Sequence, residues 1–110
     1  MQTIVILLDP NQLENPDLDL RYEIPDRIEE ATQGAVQDNG YDYIEPEDGR
    51  PGPLMGIWLA AESAEDHWPE IWKLFQEERF LENDLTPGAE IYISKEDAAE
   101  LDHCTRVAPE

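Results

Sequence analysis

The run "TIVILL", Thr3–Leu8, constrains the fold more than any other segment. It is β-branched, uninterrupted by polar residues, and stopped by Asp9-Pro10, which is the pattern of a strand buried on both faces. Such a strand belongs at the centre of a sheet, and the rest of the chain must supply its neighbours and its cover. "LMGIWLAA", Leu54–Ala61, has the same character and reads as a second central strand. "DNGYDYI" and "AEIYIS" alternate instead. Tyr41 and Tyr43 share one face against Asp42 and Ile44, and Ala89, Ile91 and Ile93 oppose Glu90, Tyr92 and Ser94. These are half-buried strands suited to sheet edges. Asn39-Gly40 carries the strongest short-range hairpin signal.

Two helices fall between the strands. Leu20, Ile24, Ile28 and Ala31 repeat at helical spacing and Gly34 supplies a stop, with Pro25 as a kink or a fresh start. Trp68, Ile71, Trp72 and Phe75 form the clearest stripe, with Ser63 or Asp66 to cap it and Pro69 near its first turn. Helical spacing alone accounts for the aromatic residues of that stripe as core.

The order β-α-β-β-α-β predicts a ferredoxin-like α+β fold: a four-stranded antiparallel sheet with two helices on one face. The 110 residues fit one domain, residues 1–110, with 95–110 as a partly ordered tail holding one short helix. Two helices leave the other sheet face bare. Thr3, Val5 and Leu7 would point there, beside Trp58, and the cover is a partner, a second copy of the chain, or the chain's own tail.

The formal charge is −20, from 27 acids against 7 bases. Over a surface of roughly 6,000 Å² this is a dense field of one sign, which favours cationic partners. It argues against direct binding of nucleic acid or anionic membranes, because the seven bases are scattered. The start, "MQTIVILLDP", has no basic leader region, and its apolar run is short for a signal peptide or membrane span. With a single cysteine, Cys104, a cytoplasmic location is expected.

Catalytic and metal chemistry find little support in the residue pattern. In "DNGYDYIEPEDG" Gly40 falls too early for a calcium loop, which would also need glutamate where Gly49 stands. His67 with Glu70, and His103 with Cys104, lack zinc-ligand spacing. Cys104 has no rigid frame to activate it. The expectation is a protein without cofactor, metal site or catalysis. The same stretch combines tyrosines, which give contact area at low entropic cost, with carboxylates that pair with arginine. Asp38, Tyr41, Asp42, Tyr43, Glu45, Glu47 and Asp48 are therefore the candidate partner-binding residues.

"NPDLDLRYEIPD", "DNGYDYIE" and "NDL" resemble segments of short acidic bacterial immunity proteins from polymorphic and contact-dependent growth-inhibition toxin systems, over about Ile6 to Ile93. The resemblance implies a small cytoplasmic protein that neutralises one toxin domain, often a basic nuclease. Two rivals remain: an acidic nucleic-acid mimic, and an enzyme or metal-dependent regulator.

Overall fold

The computed structural model describes residues 1–46 and 48–109. Five strands, β1 (Gln2–Leu8), β2 (Val36–Ile44), β3 (Leu54–Ala61), β4 (Ala89–Ser94) and β5 (Thr105–Ala108), form one antiparallel sheet in the order β2-β3-β1-β4-β5. Helices α1 (Leu20–Ala31) and α2 (Ala64–Glu77) complete an α+β architecture. As the apolar runs require, β1 lies at the centre, and all six residues Thr3–Leu8 are buried.

The pleat divides these residues between two layers. Ile4, Ile6 and Leu8 join Ile57, Leu59 and Ile91 beneath Leu20, Ile24 and Ile28 of α1 and Ile71 and Phe75 of α2, so both helices cover one face. The tryptophans of α2, Trp68 and Trp72, pack partly buried against this core. The Ser63 hydroxyl accepts from the Asp66 N–H at 3.3 Å and starts α2. Both helices run through their prolines. Pro25 is buried in α1 and Pro69 lies inside α2, each withdrawing one backbone donor from its helix. Behind α1, Gly34 has φ +82 and its N–H reaches back to the Glu29 carbonyl, the expected stop.

Three expectations require correction. Asn39-Gly40 is not a hairpin turn. It sits inside β2, where the register with β3 shifts between Asp38 and Tyr41, and Gly40 at φ +104 forms a bulge. The chain reverses later, between Ile44 and Leu54. The sheet has five strands rather than four, and β4 is not an edge, because β5 pairs with its outer side. The sequence leads one to expect residues 95–110 to hold one short helix and then fray. The short helical turn is there, at Leu101–His103, but the residues after it pair with β4 as β5 rather than fray.

That segment is also the cover for the second face, one of the three occupants left open by the sequence. Thr3 Oγ1 donates to the Glu96 carbonyl at 2.8 Å and accepts from the Ala99 N–H at 3.0 Å. The Trp58 indole N–H donates to the Ala99 carbonyl at 2.9 Å. Val5 and Leu7 are buried as a result, each contributing about 1.5–3 kcal/mol. Replacing Thr3 by the isosteric valine removes both side-chain bonds. It should cost about 1–2 kcal/mol in urea unfolding. It should also speed amide exchange between Glu96 and Ala99 ahead of the helix-side core. Uniform exchange across the chain would show that Thr3 does not pin the cover.

Candidate functional site

Alternation along β2 separates residues that are neighbours in sequence. Tyr41 and Tyr43 pair with Ile57 and Met55, so they continue core rows of the helix-side face out to the sheet edge. Asp42 and Ile44 pair with Gly56 and Leu54 on the opposite face. The predicted site is thus brought together in two parts rather than one. Asp38 belongs to neither, and its carboxylate accepts from the Gly40 N–H across the bulge at 3.0 Å. Glu47 lies outside the described residues.

On the second face, a cavity of about 690 Å³ opens between β2, the β2–β3 connection and the covering segment. Leu7, Ile44, Leu54 and Trp58 are among its apolar lining residues. The Trp58 ring lies over Gly56, where an added Cβ would meet Trp58 Cζ3 at 2.6 Å and Ile44 Cδ1 at 2.8 Å. Gly56 therefore leaves the space the indole occupies, and Trp58 forms an aromatic floor.

Asp42, Glu45 and Asp48 line one side of the cleft, and Glu100 and Asp102 line the covering segment. Among the described lining residues these five carboxylates face one base, Arg50. That guanidinium is already engaged, at 3.0 Å from Asp48, 3.6 Å from Glu90 and 3.9 Å from Asp9. A cation entering the cleft would meet carboxylates around an aromatic floor, which suits an arginine or lysine side chain.

Tyr92 and Cys104 also reach this cleft. Burial first, and then Glu90, raises the Tyr92 phenol above its usual value. Burial and then Glu96 raise the Cys104 thiol, whose S–H donates to the Glu100 carbonyl at 3.4 Å. A raised pKa leaves less thiolate at neutral pH. Cys104 should therefore alkylate several-fold more slowly than free cysteine between pH 7 and 9, with the difference lost in urea. Alkylation at the free-thiol rate in the folded protein would contradict this.

On the helix-side face, Tyr22 of α1, Tyr41 and Tyr43 form an edge-to-face ladder, with centroids 6.3 and 6.2 Å apart. The Arg21 guanidinium stacks 4.7 Å from the Tyr22 ring and 5.1 Å from the Tyr41 ring. Next to Tyr43 a smaller cavity of about 280 Å³ is lined by Leu8, Leu13, Pro16, Leu18, Pro53 and Met55.

The sequence did not assign Trp58, Glu100 and Asp102 to the cleft, Tyr22 to the ladder, or Leu18 to the cavity beside it. The β-branched Thr105 and Val107 were the available signal that the last residues return to the sheet. His67 lies 3.1 Å from Glu70, whereas His103 faces Glu96 at 3.4 Å rather than forming a pair with Cys104. Among the described residues no group of three or more His, Cys, Asp or Glu converges to hold a metal ion. No described helix is long and apolar enough to cross a membrane. No family model, no curated protein and no solved structure matches the chain.

Proposed function

We propose that the protein is an immunity-type inhibitor that binds one basic toxin domain, with a nuclease as the best-fitting class, and acts without catalysis or cofactor. The carrying observation is the carboxylate-walled cleft over Trp58, on a chain with formal charge −20. A nuclease holds a polyanion and so has a basic cleft. An acidic surface would speed encounter, and aromatic contacts would hold the complex. Such an inhibitor works in the cytoplasm, where its target would otherwise cut nucleic acid.

The strand order β2-β3-β1-β4 with both helices on one face supports a ferredoxin-like scaffold extended by β5. A nucleic-acid mimic calls for carboxylates strung along an elongated body. The Cα extents of 33 × 28 × 25 Å favour a single-partner blocker instead.

The test is titration of the purified protein into a panel of basic nuclease domains, including toxin domains encoded beside its gene, while cleavage of a labelled oligonucleotide is followed. One domain should lose activity at equimolar inhibitor while the others keep theirs. Inhibition of every member in competition with DNA would favour mimicry. No inhibition of any member would count against both readings.

A further inference from the structure

Of the five large hydrophobic side chains left exposed among the described residues, four belong to one surface: Leu18, Tyr22, Tyr41 and Tyr43. The tyrosines touch as a ladder, and Leu18 and Tyr43 border the same apolar cavity. Tyr41 and Tyr43 are 42% and 44% exposed, so the core uses only part of each ring. An edge strand on a protein rich in carboxylates is normally protected by charge. Here β2 presents phenol rings on the helix side instead. The rings are stiffened by edge-to-face contact and offer large contact area for little lost freedom.

The cavity beside them, about 280 Å³, lies at the lower limit of small-molecule pockets, which run from about 300 to 1,000 Å³. Its size suits one inserted side chain. Its lining is apolar apart from Asn11 and Asp17.

Charge decides between the available occupants. A second copy would bring another −20 toward a surface carrying Asp17 and Asp19 on the loop that bears Leu18. The nearest base on this surface, Arg21, already stacks on Tyr22 and Tyr41. A cationic protein meets that charge favourably.

We propose that this patch is an anchor site for one apolar side chain, leucine, methionine or phenylalanine, carried on a lysine- or arginine-rich segment of the protein partner. The inference rests on the reading of the partner as a basic protein, and adds a second contact point on the face opposite the acidic cleft. The partner would then grip both sides of β2: carboxylates on one face, an apolar socket on the other.

The test uses capped peptides Lys-Lys-Leu-Lys-Lys, Lys-Lys-Ser-Lys-Lys and Glu-Glu-Leu-Glu-Glu, titrated into the ¹⁵N-labelled full chain. The basic leucine peptide should shift the amides of Leu18, Tyr43 and Met55 and bind about tenfold more tightly than its serine counterpart. The acidic peptide should leave these amides unmoved. Leu18→Ser and Tyr43→Ser are substitutions at exposed positions, and each should remove the preference for leucine while the circular dichroism spectrum stays unchanged. Equal affinity of the two basic peptides, or shifts confined to Asp42, Trp58 and Glu100, would overturn the proposal. A dimer abolished by Leu18→Ser in sedimentation would overturn the choice of occupant. If an inhibited toxin binds the two variants as tightly as the parent chain, this inference fails and the immunity reading stands. If no basic domain is inhibited yet the leucine peptide still seats on Leu18 and Tyr43, the immunity reading fails alone.

Discussion

Replacing Asn83 with leucine is expected to destabilise the protein by about 2–4 kcal/mol, a substantial fraction of the stability of a domain this size. Asn83 is fully buried. Its side-chain oxygen accepts from the Asn15 N–H at 2.7 Å, and its amide donates to the carbonyls of Asn15, Phe80 and Leu81 at 2.8, 3.1 and 3.2 Å. Leucine keeps much of the volume but leaves both main-chain groups of Asn15 without their partner. The same amide braces a tight reversal. Phe80 and Asn83 exchange backbone bonds at 2.9 Å while Leu81 and Glu82 hold φ values of 48 and 71. A left-handed backbone at two residues with side chains is costly and persists only when its surroundings enforce it. The urea midpoint should fall with little change in slope. The loop of Pro16 and Leu18, tethered through Asn15, should exchange its amides faster even under native conditions. A loss below about 0.5 kcal/mol would mean that Asn15 finds other partners and that Asn83 does not fix the loop.

The second large effect is kinetic. Asp42→Asn, Glu45→Gln and Asp48→Asn combined should slow association with a basic toxin domain about tenfold at low salt and flatten its salt dependence, with little change in dissociation. The amides retain an acceptor oxygen, so the bond from the Tyr43 N–H to Asp42 at 2.8 Å has a replacement. Because the molecule repels itself, removing three of its negative charges should also raise its melting temperature slightly in dilute buffer, an effect that vanishes with added salt. Stopped-flow binding at several salt concentrations checks the first part and calorimetry the second. An unchanged association rate would remove this side of the cleft from the encounter surface.

The parts of the fold legible in the sequence were those in which local pattern and tertiary demand agree. Thr3–Leu8 has no polar side of its own, so it had to be central. Trp68, Ile71, Trp72 and Phe75 lie along one side of a helix wherever that helix is placed. Asn39-Gly40 misled because a tight turn and a bulge both use a glycine of positive φ. Whether the chain reverses there depends on β3, which pairs on both sides of the irregularity. The choice among three possible covers stayed open for a different reason. The cover's bonds join Thr3 to Glu96 and Ala99, 93 and 96 positions apart, and no window on the sequence links them. The candidate site shows the same division. Asp38–Asp48 is one run of charge in the sequence, but the period of a strand assigns Asp42 and the tyrosines to opposite faces.

The irregularity at Asn39-Gly40 has a consequence for how the molecule behaves in a crowded solution. A straight outer strand of this length, with aromatic rings along one side, would be a template onto which further copies could stack into fibres. The kink interrupts the regular spacing of main-chain groups that such growth requires, and the Asp42 carboxylate occupies the Tyr43 amide. The border of the sheet can thus carry sticky rings for a foreign surface while staying closed to polymerisation with its own kind.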